Sequence, residues 1–278
     1  MTTIQAIILG IVQGLTEFLP VSSSGHLVIL QNFMGISEGS LEFAIVLHLG
    51  TLLAVVIAYY ESIWNMFKQF FLMLADLITL KGPCFEKSKY RKYIVYILMA
   101  SIPAGIVGVL FEDFISEKFG SIIIVGFTLL ITGVLLVLGD ALGKNNRGHI
   151  ENVGAGKAFI IGIFQMFAIT PGISRSGSTI VGGLLSGLKK EEAVEFSFLM
   201  SIPAVLGSLL LKIKDIISIG ATTSFVPLII GFFCSLVIGY FSIVLLNNIV
   251  KKGKLYYFSI YCWIVGLALI IYQVLITI

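Results

Sequence analysis

Two short stretches decide how this chain folds: Pro20-Val21-Ser22-Ser23-Ser24-Gly25-His26 and Pro171-Gly172-Ile173-Ser174-Arg175-Ser176-Gly177. Each interrupts a long apolar segment, 4–30 and 158–188 respectively, with proline, glycine and hydroxyl side chains. The surroundings are hydrophobic to a degree that water does not tolerate. Of 278 residues, 58% are hydrophobic and 12% charged, where a soluble domain carries about one-quarter charged residues. A bilayer accepts that outer surface because lipid replaces water as its solvent. Non-helical backbone survives at membrane depth only where protein or a wet cavity satisfies its polar groups. The two stretches therefore read as broken tips of re-entrant helical hairpins.

Outward from the tips, uncharged runs mark six full spans at about 41–60, 93–111, 120–139, 193–213, 225–250 and 255–277, each near the roughly 20 residues needed to cross. The first is impure, holding Glu42 and His48. The segment 61–92 between the first two spans reads as a charged loop. The net charge of +3 leaves no nucleic-acid footprint. Cys84, Cys234 and Cys262 are too widely spaced for a metal finger, and two lie in apolar runs as small hydrophobes. The beginning Met1-Thr2-Thr3-Ile4 lacks a basic region, so no cleaved signal is expected.

The two hairpins are also a repeat. On a shift of 152 residues, Ala6, Ile8, Gly10, Ile11 and Gln13 fall on Ala158, Ile160, Gly162, Ile163 and Gln165. Ser22, Ser24 and Gly25 fall on Ser174, Ser176 and Gly177 in the same register. Chance among apolar residues explains the Ile and Ala matches but not Gln, Gly and Ser-x-Ser-Gly together. The expected organisation is one membrane domain, 1–278, with repeat one at about 4–139 and repeat two at about 158–277. Three spans separate the hairpins, and an odd number makes the second enter from the opposite face. That is an inverted-topology repeat, whose site lies where the broken segments meet near the midplane.

Charge supplies an independent check. With Met1 on side X, the opposite side Y receives Lys68, Lys81, Lys87, Lys89, Arg91, Lys92, Lys144, Arg147, Lys157, Lys189, Lys190, Lys251, Lys252 and Lys254. Side X receives Lys118, Lys212 and Lys214. The positive-inside rule makes Y the cytoplasm and puts both termini outside.

Glu17, His26 and Arg175 are ionisable groups inside these segments, costly without a partner or water. A structural ion pair between the hairpins is the bland explanation. The hydroxyl-rich and glycine-rich neighbours favour a functional one. Gln13 and Glu17, four residues apart, share one helix face, so their oxygens could hold a divalent cation or position a water. Ser22, Ser23, Ser24 and His26 supply hydroxyls and an imidazole, the material of nucleophilic or acid–base catalysis. The second loop offers Arg175 with Ser174, Ser176, Ser178 and Thr179. A guanidinium fork, close-approaching backbone and a helix N-terminus suit phosphate best. Glu42 and Glu195 read as helix-start acids, His48 stays without a role, and Lys189-Lys190-Glu191-Glu192 reads as a solvated turn. Ser101-Ile102-Pro103-Ala104 recurs as Ser201-Ile202-Pro203-Ala204 and is expected to kink two helices.

At these residues the chain resembles the undecaprenyl-diphosphate phosphatase family, the BacA-type bacitracin-resistance proteins. One motif is E/Q-x-x-x-E, here Gln13-Gly14-Leu15-Thr16-Glu17, running on to His26; the other is P-G-x-S-R-S-x-x-T, here Pro171 to Thr179. The resemblance implies hydrolysis of undecaprenyl diphosphate to the monophosphate and inorganic phosphate, recycling of the cell-wall lipid carrier and bacitracin resistance. It implies a divalent cation, Mg or Ca, and a bacterial plasma-membrane location with the site facing outward. The family's glutamate, serine, histidine and arginine fall on Glu17, Ser23, His26 and Arg175. Ser22, Ser174, Ser176 and Thr179 are then expected to bind the substrate phosphates, and Glu17, with Gln13 supporting, any metal. Gln13 stands where many members have glutamate, which weakens a direct metal role there. A rival reading keeps the same midplane phosphate site but makes the protein a polyprenyl-phosphate transporter or flippase.

Overall fold

The computed structural model describes residues 1–36, 40–79, 82, 85–219 and 224–277. Among these, the side chains of 40–41, 86, 112–113, 116, 213–219 and 277 are not described. Lys81 and Cys84 lie outside the described residues.

The described chain is all helical in its regular structure. Hairpin one is α1 (Thr3–Phe18) and α2 (Ser23–Phe33), followed by α3 (Ser40–Ala58) and α4 (Tyr60–Ile78). Two long helices close the first half, α5 (Lys89–Phe119) and α6 (Ile122–Leu142). Hairpin two is α7 (Gly154–Phe167) and α8 (Arg175–Leu185). Then come α9 (Lys190–Ile219), α10 (Phe225–Lys251) and α11 (Tyr256–Thr277). Five of the described helices are long and apolar enough to cross a membrane, and α3 with α4 makes a bent pair that could count as a sixth. Large apolar side chains such as Leu98, Ile106, Phe127, Ile131, Phe233 and Phe241 face outward. Such a surface suits acyl chains and not water. The chain is a polytopic membrane protein.

Five expected spans match α5, α6, α9, α10 and α11. The sixth, 41–60, is met by α3 to within two residues, and the correction falls on the loop expected after it. The helix at 41–60 stops at Ala58, and the chain turns by 84° into α4, which occupies most of the expected loop 61–92. Helix α4 buries none of its residues, although Trp64, Phe67, Phe70 and Phe71 lie on it. Its charges (Glu61, Lys68, Asp76) are spaced so that an apolar face survives, the pattern of a surface helix rather than of a coil. Its near end is pinned by Ser62 Oγ donating to Glu195 Oε1 at 2.6 Å. Its far end is pinned by Asp76, which takes Arg91 at 2.7 Å and Lys87 at 3.1 Å. Glu195 is thus a docking point for α4 rather than a first-turn acid. Glu192, also expected in a solvated turn, accepts the Ile150 N–H at 2.5 Å and stands beside His149 at 2.7 Å. Both prolines sit inside continuous helices, α5 and α9. Cys262 is buried and Cys234 half-buried, and both are free thiols.

The hairpins pack crosswise. Helix α1 lies along α10, and α7 lies along α5. The repeat-equivalent Gly10 and Gly162 mark the two crossings. A Cβ on Gly10 would stand 2.9 Å from the Gly231 carbonyl oxygen, and one on Gly162 would collide with the Ala100 carbonyl. Helices come this near only where a side chain is missing.

Candidate active site between the two loops

Each tip is built by the same local rule. Ser22 caps α2 by accepting the Gly25 N–H at 3.3 Å, and its hydroxyl meets that of Ser24 at 3.3 Å. Ser174 caps α8 by accepting the Gly177 N–H at 3.1 Å, and its hydroxyl meets that of Ser176 at 3.2 Å. The matched Ser-x-Ser-Gly is therefore an N-cap device, as serine before a helix start commonly is. The tips also touch reciprocally. A Cβ on Gly25 would lie 3.2 Å from Gly172 Cα, and one on Gly177 would lie 3.2 Å from Pro20 Cβ. Since Pro20 and Gly172 are themselves equivalent on the 152-residue shift, each loop presents the same spot to the other's, the mark of a two-fold contact.

The charge arrangement breaks this likeness. Glu17 reaches across from the end of α1, its side chain 5% exposed. Its Oε1 is ion-paired with Arg175 Nη2 at the start of α8. Its Oε2 accepts Ser23 Oγ at 2.6 Å and Gln13 Nε2 at 2.9 Å. His48 Nε2 stands 3.8 Å from the same oxygen. The His48 ring is oriented by Nδ1, which donates to the Ala44 carbonyl at 2.7 Å. One carboxylate thus gathers a serine hydroxyl from its own hairpin and a guanidinium from the other.

Beside this cluster is a cavity of about 330 Å³. Its lining includes Glu17, Ser22, Ser23, Ser24, Ser174 and Arg175. Several expected site residues lie elsewhere. His26 does not line the cavity. Its Nδ1 donates to the Ser22 carbonyl at 2.8 Å, and its Nε2 accepts from the Tyr261 hydroxyl at 2.8 Å. Thr179 is turned to Ser197, 2.5 Å away, and Ser176 meets Ser174 in its own loop and donates to the Leu19 carbonyl of the other loop at 3.5 Å. Their hydroxyls are spent on holding α8, because that helix is buried and every polar group in it needs a partner. Conversely, Thr16, His48, Ser208 and Lys212 line the cavity without having been expected there. For His48 the signal was an ionisable group in an otherwise apolar span. For Ser208 and Lys212 it was a polar pair four residues apart near the end of the expected span 193–213.

Among the described residues no cluster of three or more His, Cys, Asp or Glu could cage a metal. Oxygen donors are nonetheless at hand. Gln13 Oε1 is buried and has no hydrogen-bond partner, next to the Glu17 carboxylate that Gln13 Nε2 engages.

An all-helical membrane protein with a hydroxyl-rich cavity, one carboxylate and one guanidinium at the junction of two broken helices is the class that fold and site define. The chain belongs to the bacitracin resistance protein BacA family, whose model matches residues 6–268. It is 47% identical over 277 residues, 99% of this chain and all of the relative, to the undecaprenyl-diphosphatase of Alkaliphilus metalliredigens. It is 43% identical to the undecaprenyl-diphosphatase of Methanobrevibacter smithii, over 96% of both chains. It is 42% identical to that of Halothermothrix orenii, over 98% of both.

Proposed function

We propose that this protein hydrolyses undecaprenyl diphosphate to undecaprenyl phosphate and inorganic phosphate, recycling the lipid carrier of peptidoglycan synthesis. The observation that carries the reading is Glu17, which holds Ser23 and Arg175 on its two oxygens at the edge of an open cavity. The prenyl tail stays among the acyl chains while the diphosphate enters the cavity. Arg175 and Ser174 bind the terminal phosphate, where charge must be stabilised as the bond breaks. Ser23 Oγ attacks the terminal phosphorus in line, its proton passing to the Glu17 carboxylate, and the bridging P–O bond breaks to release the lipid monophosphate. Water then hydrolyses the phosphoserine and frees inorganic phosphate.

His26 holds the Ser22 carbonyl and so the shape of the serine turn, acting through Ser23 rather than on the substrate. A divalent cation, Mg or Ca, would be held by Glu17 and Gln13 Oε1, with further oxygens from the substrate, since one carboxylate and one amide fall short of a full shell. Such an ion supplies positive charge to phosphate oxygens when bound.

The reading places the protein in the bacterial plasma membrane with both termini outside. It is supported by the lysine and arginine excess on side Y and by the reciprocal loop contact expected of inverted repeats. The cavity is lined by the beginning of α3 and the latter part of α9, which this topology places toward side X, facing outward.

The test is phosphate release from polyprenyl diphosphate by detergent-purified protein, where a pure carrier releases none. Ser23→Ala should lower the rate by about 10³-fold or more, comparable with loss of a principal catalytic group. Near-normal turnover would replace serine attack with direct attack by water.

A further inference from the structure

We propose that the outer face of α4 binds a lipid surface: the head groups and upper acyl chains of the bilayer leaflet on side Y. The helix leaves α3 at 84°. At that angle to a spanning helix it runs along the membrane rather than through it. One stripe of α4, including Ser62, Met66, Gln69 and Asp76, holds the protein. Ser62 donates to Glu195, Gln69 Oε1 accepts Arg91 Nε at 3.0 Å, Asp76 takes Arg91, and Met66 packs against the core. The opposite stripe is Tyr60, Trp64, Phe67, Phe71, Leu74 and Ile78, whose spacings of four and three keep them on one face. Their exposure runs from 38% for Leu74 to 82% for Ile78. The helix therefore turns hydrogen-bonding groups toward the protein and aromatic groups away from it. A contiguous face of that kind is made to be covered by something apolar.

The flanks of α4 say what the cover is. With about 3.6 residues per turn, Phe70 and Leu77 fall on one flank, and both are exposed. The apolar sector is therefore wider than the narrow seam that a second helix would fill. Glu61 and Lys68 fall on the other flank, with Leu72 beyond them. Apolar inward and sideways, charged toward water: that is the cross-section of a helix lying in a membrane surface. Lysine–aromatic pairs mark its level. Lys68 lies over the Trp64 ring at 5.3 Å, Lys89 over Tyr90 at 5.0 Å and Lys254 over Tyr257 at 5.7 Å. Lys89 begins α5 and Lys254 stands just before α11, two helix ends that the charge count assigns to side Y. Tyrosine, tryptophan and lysine at span ends suit the head-group layer, with rings among the tops of the acyl chains and ammonium groups toward the lipid phosphates. The Trp64–Lys68 pair gives α4 the same chemistry and so the same depth. The rings also form a row, Trp64 to Phe67 at 5.6 Å and Phe67 to Phe71 at 4.8 Å between centroids.

The chain has two tryptophans, Trp64 and Trp263, so Trp64 can serve as the probe. Wild type, Trp64→Phe and Trp263→Phe are purified, confirmed monodisperse and reconstituted into phosphatidylcholine–phosphatidylglycerol vesicles. The vesicles are plain, or carry lipid brominated either near the head group or near the acyl-chain end. Trp64 emission is read directly in Trp263→Phe, and independently as the difference between wild type and Trp64→Phe. Trp64 should lose most of its emission to the shallow bromine and less to the deep one, because such a helix lies about 5–10 Å into the boundary between head groups and acyl chains. Iodide supplied on both faces should remove little. Quenching by iodide alone puts the face in water and overturns the proposal. Quenching by neither agent means that protein covers the stripe, as a second copy would, and overturns it as well. A greater loss to the deep bromine places α4 in the bilayer interior and overturns it too.

Discussion

Hairpin two is locked where hairpin one is loose. Nine of the eleven residues of α8 are buried, against Gly25 and Leu27 alone in α2. Loop two is pinned by two threonines of α6: Thr128 donates to the Pro171 carbonyl at 2.7 Å, and Thr132 donates to the Gly172 carbonyl at 2.9 Å and accepts the Ser174 N–H at 3.1 Å. Loop one has a thiol in the corresponding place, Cys262 Sγ at 3.8 Å from the Pro20 carbonyl. The backbones differ to match. Gly172 takes φ +88°, a conformation proline cannot adopt, so in loop one, where Pro20 stands at that position, the left-handed residue is Ser22 at φ 70°. The chemistry divides along the same line. Ser23 falls on Arg175 and Glu17 on Ile169 across the repeat. One loop carries its cation, Arg175, on a deeply buried helix, and the other carries Glu17 and the proposed nucleophile Ser23 beside a less buried one.

Breaking the anchor should do the most damage. Arg175→Ala should lower phosphate release by at least about 10³-fold and cost about 3–5 kcal/mol of stability, because Glu17 is left buried without its counter-charge. The double variant Glu17→Gln with Arg175→Gln should recover much of the thermal midpoint and none of the activity. Full turnover in Arg175→Ala would remove the site altogether.

The packing contrast comes next. Gly162→Ala drives a methyl into the backbone of α5 at Ala100, whereas Gly10→Ala meets Cys234 Cβ at 2.8 Å and the Gly231 carbonyl at 2.9 Å. Each should destabilise by about 1–3 kcal/mol, with Gly162→Ala the worse. Equal melting midpoints would show that the two crossings yield alike.

Smaller effects sharpen the picture of the looser loop. His26→Asn, which keeps a donor for the Ser22 carbonyl, should retain more activity than His26→Ala. Tyr261→Phe should cost no more than about 0.5–1.5 kcal/mol, the net worth of one hydrogen bond. If His26→Asn and His26→Ala are equally dead, the imidazole acts on the substrate directly. The smallest change is Ser22→Gly. It relieves a left-handed serine worth about 1 kcal/mol of strain and forfeits a cap that glycine replaces at a cost of a few tenths. Unfolding in detergent should show slight stabilisation.

Much of this architecture could be read from residue order because membrane burial leaves a coarse signal. Five spans are long apolar runs, and the two tips announce themselves as hydroxyls and glycine at membrane depth. The Glu17–Arg175 meeting was readable for the same reason: two charges in apolar segments need each other. What escaped was decided by direction. Whether Thr179 faces the cavity or Ser197, and whether His26 or His48 approaches Glu17, depends on helix rotation, which spacing within one helix does not fix. Helix α4 escaped because its charges resembled those of a loop, while the apolar face between them became plain only as a helix.

The ion pair between Glu17 and Arg175 has a consequence for the resting protein. An enzyme whose substrate is a multiply charged anion must keep its cation neutralised between visits. On the proposed reading, the Glu17 carboxylate occupies the guanidinium until a phosphate displaces it and returns when the phosphate departs. Each turnover then exchanges one negative partner of Arg175 for another.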